Sequence, residues 1–273
     1  MRISVLMPSR NRPQMMQEAI CSLHEKASGE NEITYMVGCD ADDLDTAGAA
    51  FVLKANGLPV RWRVAPRGPS LGDLVNRLSE MAPADVYCSL CDDVICQTQG
   101  WDERIAEAWR DNPAGVWWWV TQNDATFAIV SEKWRAAAGR IFTDYFPFWF
   151  DDGWLLQLWL YASGVPGDML NIKLHDRAPP THRMRDALEW VDFYWSPAMQ
   201  AERMAEALRI RKGLGWPDVQ HDPSLDMKLR DDAAEWMTKV QEARGDKSPP
   251  TPEYLAALER MRAIRAAQHK EAA

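Results

Sequence analysis

The stretch Asp85-Val-Tyr-Cys-Ser-Leu-Cys-Asp-Asp-Val94 decides how the chain is read. Mostly apolar residues run straight into two adjacent carboxylates, Asp92 and Asp93. An apolar run of about 4–8 residues without clean alternation fits a strand buried on both faces, as in a parallel sheet. In open α/β sheets the ligand site lies just beyond the carboxyl ends of the strands, which is where these acids fall. Two acids side by side repel each other and lose solvation unless something positive lies between them. A divalent cation, Mg2+ or Mn2+, is the economical candidate, because hard oxygen ligands suit it and one or two carboxylates plus substrate phosphates commonly hold it. The plainer alternative is a polar strand-to-helix turn with one acid as cap, since Trp101-Asp102 opens a helical pattern soon after.

Toward the N-terminus the order strand–loop–helix recurs, which argues for a parallel sheet with right-handed crossovers. Ile3-Ser-Val-Leu-Met7 reads as a first buried strand and runs into Pro8-Ser-Arg-Asn-Arg-Pro13, ahead of a helical pattern over 14–27. Ser9, Arg10, Asn11 and Arg12 thus place guanidinium and amide donors at a helix N-terminus, a cradle for an anion or nucleotide. A second strand, Ile33-Thr-Tyr-Met-Val37, leads to the acidic loop Gly38-Cys-Asp-Ala-Asp-Asp43. Asp40 there either bonds a base or ribose, as a carboxylate after the second strand does in dinucleotide folds, or caps the helix over 44–56. Residues 58–64 form a third strand, followed by Arg67-Gly-Pro-Ser-Leu-Gly72 and a helix through Met81 that includes Asn76. No GxGxxG and no GxxxxGK[ST] follows any of these strands.

Beyond the acids, 101–112 is helical, and 116–120 and 125–130 read as strands joined across Gln122-Asn-Asp124. Ser131 caps a further helix. Pro147-Phe-Trp-Phe-Asp-Asp-Gly153 then opens an apolar helix over 154–162, so Asp151 and Asp152 sit at a helix N-terminus behind an aromatic wall. They are either caps or, desolvated among aromatics, acids of raised basicity suited to general-base work. A strand over 169–174 precedes His175, which could complete a metal site with Asp93 or simply lie on the surface. From about Ser196 the chain is helical, charged and Ala-rich, broken at 213–217 and 245–252, and it is expected to cover the fold or mediate homo-oligomers.

With 273 residues the chain can hold one large α/β unit plus an appendage, taken here as 1–195 and 196–273. Its net charge of -9 argues against nonspecific nucleic-acid binding and requires local Arg or metal to hold a phosphorylated substrate. The 14 Trp are an unusual share; they are core residues or, in part, the lining of a pocket for a flat or sugar-like ligand. No apolar run approaches the roughly 18 residues of a membrane span, and no signal-peptide core opens the chain, so a cytoplasmic location is expected. The five Cys lack zinc-ribbon spacing, and Cys88 and Cys91 would point to opposite faces of a strand, so buried free thiols are expected rather than zinc.

In combination these motifs resemble the GT-A glycosyltransferases of the family 2-like group. The resemblance covers about residues 1–195 and lies in the order and spacing of its parts: Val5-Leu-Met-Pro-Ser-Arg-Asn-Arg-Pro13, then Asp40, then Arg67 and Asn76, then Cys91-Asp-Asp-Val94 followed by Trp101-Asp102. It implies a nucleotide-diphosphate sugar held by Pro8, Ser9, Arg10, Asn11, Arg12, Asp40, Arg67, Asn76 and Asp92. It further implies Mn2+ or Mg2+ on Asp93 with His175, and Asp152 or Asp151 as the base of an inverting transfer to an acceptor hydroxyl. Cys91 stands where the first acid of a full DxD would be, which leaves open which Asp binds metal. Trp149 and Trp154 are expected as an aromatic floor for the acceptor, which could be a glycan, a lipid-linked sugar, a protein, a small molecule or a hydroxymethylated DNA base. The DNA option needs a basic groove, for which Arg177, Arg183 and Arg185 are the candidates. A nucleotidyltransferase would use the same acids but lacks its Gly-rich, Lys-containing first loop here. A sugar-nucleotide-binding scaffold that has lost turnover is the non-enzymatic alternative.

Overall fold

The computed structural model describes residues 1–121, 127–147, 150–177, 187–219, 230–231, 235, 250 and 252–271. Within them the chain runs β1 (Arg2–Ser9), α1 (Pro13–Lys26), β2 (Glu32–Asp40), α2 (Leu44–Ala55), β3 (Val60–Ala65), α3 (Leu71–Met81) and β4 (Val86–Ser89). It continues with β5 (Val94–Cys96), α4 (Trp101–Asp111), β6 (Val116–Val120), β7 (Ala128–Ser131), α5 (Glu132–Ala138), α6 (Asp151–Ser163) and β8 (Asp168–Asp176). Helices α7 (Ala187–Tyr194), α8 (Pro197–Leu214) and α9 (Pro252–Glu271) follow. The strands form one sheet in the order β3-β2-β1-β4-β7-β6-β8-β5. Strands β3, β2, β1 and β4 are parallel neighbours, as are β6 and β8, while β7 runs antiparallel to β4 and β6 and β5 antiparallel to β8. This is the mostly parallel α/β sheet expected from the recurring strand–loop–helix order.

The apolar runs are continuous because both faces of the sheet are covered. Along β1 and β2, Val5, Met7, Tyr35 and Val37 point into one core with α1, α2 and α4. Leu6 and Met36, between them in sequence, point into the other with α3 and α6. The same alternation runs through the tryptophan triplet of β6: Trp117 and Trp119 enter the first core and Trp118 the second. Close packing leaves no room for side chains opposite these rings. A Cβ on Gly167 would lie 2.1 Å from Trp118, and one on Gly115 would lie 2.2 Å from Trp117.

Helices α8 and α9 bring Met199, Ala207, Ile210, Tyr254, Leu258 and Met261 into the same core as Trp154 and Trp159. Ser196 starts α8 by accepting a hydrogen bond from the Met199 N–H, and Gly215 ends it at φ 68°. Polar contacts fix α8 to α6. Glu206 accepts from Arg140 at 3.1 and 2.9 Å and from the Trp154 indole at 3.0 Å. Arg203, fully buried, donates to the Tyr194 carbonyl at 2.7 Å and lies 4.2 Å over the Tyr194 ring.

One expectation is corrected at the decisive stretch. Asp92 and Asp93 lie in a turn between two strands, not between a strand and a helix, because 94–96 pairs antiparallel with 174–176. That partner is some eighty residues away and leaves no local signal. The later strand starts at Ala128; the expected hairpin residues 122–126 lie outside the described residues.

Candidate functional site

Parallel strands deliver their loops to one edge, and Arg10, Arg12, Asp40, Asp92 and Asp93 meet there. The β1–α1 loop turns at Asn11, whose φ of 55° is left-handed, a conformation Asn tolerates better than most residues. The turn sends the flanking arginines in different directions. Arg10 reaches the β2–α2 loop, where it pairs with Asp40 and binds Asp42 at 2.9 and 2.8 Å. Arg12 reaches the β4–β5 turn, where a single nitrogen lies 3.2 Å from Asp92 Oδ1 and 2.8 Å from Asp93 Oδ2. The Asn11 N–H donates to Asp43 at 2.6 Å, and the Ser9 hydroxyl donates to Asp92 Oδ2 at 2.7 Å. Pro8, opposite Gly38 in the β1–β2 register, leads into this loop.

Burial raises the carboxyl of Asp92 above the ordinary range, with Ser9 and Arg12 offsetting it only in part. Asp93 is raised by burial and then by Asp92, with Arg12 opposing and Asp176 adding repulsion. Asp43 differs: burial works against its charge, but the Thr46 hydroxyl and the Asn11 and Thr46 amides hold it below the usual value. Asp43 is also the cap of α2, a role the sequence left open to Asp40.

Three expected ligands are placed otherwise. Asn76 spends its amide on the 141–142 backbone, donating to the Phe142 carbonyl at 2.8 Å and accepting from the Ile141 and Phe142 amides at 2.8 and 3.0 Å. It braces the 141–142 loop with both of its bonding groups. His175 lies on the exposed side of β8, paired with Ile95, and among the described residues no cluster of three His, Cys, Asp or Glu is assembled to hold a metal. The β8 charge acting on Asp93 is that of Asp176, which sits opposite Val94. Trp154 is 1% exposed, so it is core rather than acceptor floor, and Trp149 lies outside the described residues. Arg67, half-buried in the β3–α3 loop, makes no ion pair among the described residues.

The second acidic pair is brought to the same edge by α3, which follows a parallel strand and therefore begins there. Its first turn touches the segment that precedes α6: the Leu71 N–H donates to the Pro147 carbonyl at 3.4 Å, and a Cβ on Gly72 would lie 2.1 Å from the Thr143 carbonyl. Phe150, just before α6, has φ 71° and stacks on Tyr194 with ring centres 5.0 Å apart. A left-handed Phe costs on the order of 1–3 kcal/mol, and such strain gathers at functional sites. Asp151 is 5% exposed, and neither of its oxygens has a hydrogen bond of ordinary geometry among the described residues. Burial, reinforced by Asp152 and Asp144, raises its carboxyl well above the usual range, against weaker pulls from Arg140 and the Gly72 amide. Asp152 is half-buried, and its Oδ1 accepts from the Gly153 N–H at 2.8 Å.

Residues that the sequence did not single out are Asp42, Asp43 and Asp176. The first two stood in the quoted acidic loop and Asp176 stands next to His175, in the stretch read as a possible metal ligand; the β5–β8 register sets it opposite Val94.

This architecture is a glycosyltransferase fold. The chain is similar to the mannosyltransferase PcManGT from Pyrobaculum calidifontis, solved in complex with GDP-Man and Mn2+, at 13% identity over 97% of this chain and 80% of that one, with a TM-score of 0.58. Residues 1–349 of S. aureus TarS, solved in complex with UDP, are similar at 12% identity over 90% of this chain and 73% of that one, with a TM-score of 0.55. Against a longer TarS structure the match is 14% identical with a TM-score of 0.53, and it spans 43% of that chain. No protein-family model and no curated protein matches the sequence. Among the described residues no helix is long and apolar enough to cross a membrane.

Proposed function

We propose that this chain is a GT-A-type glycosyltransferase of the family 2-like group, moving a sugar from a nucleotide-diphosphate donor to an acceptor hydroxyl with inversion. The observation that carries this reading is the meeting of Arg10, Arg12, Asp40, Asp92 and Asp93 at the carboxyl edge of β1, β2 and β4. The similar mannosyltransferase was solved with GDP-Man and Mn2+, and the similar TarS fragment with UDP, which supports the donor class.

In this reading Asp40 faces the nucleoside, and Arg12 and Arg67 face the diphosphate, where guanidinium forks suit phosphate oxygens. Asp92 and Asp93 are hard oxygen donors with little exposure, a pair that together with diphosphate oxygens would suit Mn2+ or Mg2+. When bound there, such a cation would neutralise charge growing on the leaving diphosphate. Asp152 is the base: it takes the acceptor proton as the acceptor oxygen bonds to the anomeric carbon. The bond from that carbon to the diphosphate breaks, and its electron pair leaves with the nucleotide. Asp151 is 5% exposed whereas Asp152 is half-buried, which favours Asp152 for reaching an acceptor hydroxyl. The DNA-base acceptor is disfavoured at Arg177, whose guanidinium is engaged by Glu18; Arg183 and Arg185 lie outside the described residues.

The test is a thermal-shift panel of UDP-, GDP-, CMP- and TDP-sugars with and without Mn2+. A ligand at about 100 times its Kd adds roughly 2.7 kcal/mol of stability. One nucleotide family stabilising the protein is expected; no response to any would overturn the reading.

A further inference from the structure

The acids at the β4–β5 turn already have a cation between them, and it comes from the protein. Arg12 Nη1 touches Asp92 Oδ1 at 3.2 Å and Asp93 Oδ2 at 2.8 Å, and Ser9 holds the other oxygen of Asp92 at 2.7 Å. Without a positive group there, two buried neighbouring carboxylates could not both stay ionised. The same loop treats the other acidic site alike, since Arg10 spans Asp40 and Asp42. Both arginines hang from the left-handed turn at Asn11, which is anchored by its N–H to Asp43.

A divalent cation bridging Asp92 and Asp93 would need the space Arg12 Nη1 occupies, because metal–oxygen bonds of about 2.0–2.2 Å leave no room for a guanidinium between the same oxygens. Arg12 has another partner available once a donor arrives: a diphosphate accepts a guanidinium fork at least as well as a carboxylate does. Its side chain is 33% exposed, so rotation about its own bonds can carry it from acid to phosphate without moving β1 or α1.

We propose that Arg12 is a place-holder for the metal: in the ligand-free protein it neutralises Asp92 and Asp93, and it passes to the diphosphate as a divalent cation takes the acids. This rests on the nucleotide-sugar reading above. Each ligand then removes an obstacle to the other, so nucleotide and metal bind with reciprocal positive coupling.

Mn2+ binding is measured by the loss of the free-ion EPR signal on the full chain, with and without UDP, GDP, CDP or TDP. In the wild type, the nucleotide that binds is expected to tighten Mn2+ by about 10-fold or more, within the roughly 5–150-fold span of ordinary coupling. Arg12→Gln is expected to bind Mn2+ about 10-fold tighter than wild type without nucleotide and to lose most of the coupling. Arg110→Gln, the same charge change on α4, is expected to do neither. If Arg12→Gln binds nucleotide-free Mn2+ no better than wild type while Asp93→Asn abolishes binding, the place-holder is wrong and the metal site stands. If Arg12→Gln does not fold, the wild-type coupling decides alone: Mn2+ affinity indifferent to nucleotide overturns the proposal. If no nucleotide brings Mn2+ to the protein, the metal reading fails and the place-holder with it.

Discussion

Replacing Asp151 with Asn should change how stability depends on pH, and the sign follows from where the carboxyl sits. Its native-state value is raised well above the ordinary one by burial, then by Asp152 and Asp144. The ordinary carboxylate value, about 3.9, applies to the unfolded chain. Between the two values the folded protein holds a proton that the unfolded chain has released, so unfolding becomes easier as pH rises. The slope there approaches about 1.4 kcal/mol per pH unit for one proton; it vanishes below the unfolded value and levels off above the folded one. Asn has no proton to lose, so Asp151→Asn should gain on the wild type steadily from about pH 4 upward. A constant offset is also expected, because the Asn NH2 group adds donors in a buried site that, among the described residues, offers them no acceptor of ordinary geometry, at about 1–3 kcal/mol. The slope therefore carries the argument, not the absolute stability. Urea unfolding of both proteins at several pH values between about 4 and 8 measures it, and the other raised carboxyls, Asp92 and Asp93, cancel in the difference. Parallel curves over that range would refute the reasoning.

Asp152→Asn should leave donor binding by calorimetry intact and lower kcat by about 10²–10⁴, the usual worth of general-base help. Gly167→Ala should destabilise the protein by about 1–3 kcal/mol in urea, because the new methyl meets the rigid, buried Trp118 ring at 2.1 Å. Glu206→Ala should cost about 3–5 kcal/mol in the same assay, since it leaves Arg140 and the Trp154 indole without their shared buried partner.

The parallel half of the sheet was legible because each of its strands announces itself locally. A run such as Ile3–Met7, apolar at every position but Ser4, has no stable place except between two helical layers. Ser131 caps the helix that follows as expected, which is short-range chemistry a sequence displays directly; Ser70 and Ser196 do the same and were not singled out. Strand β5 was not legible, since three residues carry too little pattern and owe their state to β8 across the sheet. The stretch around His175 was legible as a partner of the acids, but which of its residues acts on Asp93 was not; the pairing makes it Asp176.

For the site, residue types were readable but their mutual engagement was not. Two adjacent acids required a positive charge, and the sequence argument supplied a metal because nothing in the spacing says that Arg12 folds back some eighty residues onto them. That inference was sound in kind and open in identity: charge neutrality constrains the sum of the charges at a buried pair, not their source. Asn76 marks the same limit from the other side. An amide beside a phosphate-like loop reads as a ligand contact, yet its two bonding groups are taken by the backbone of 141–142. That engagement matters to the proposed chemistry all the same. The 141–147 segment lies against the first turn of α3, and this segment leads into the left-handed Phe150 and the acids of α6. If Asp152 is the base as proposed, Asn76 bears on it through backbone placement, so Asn76→Ala should lower kcat while leaving donor affinity by calorimetry unchanged.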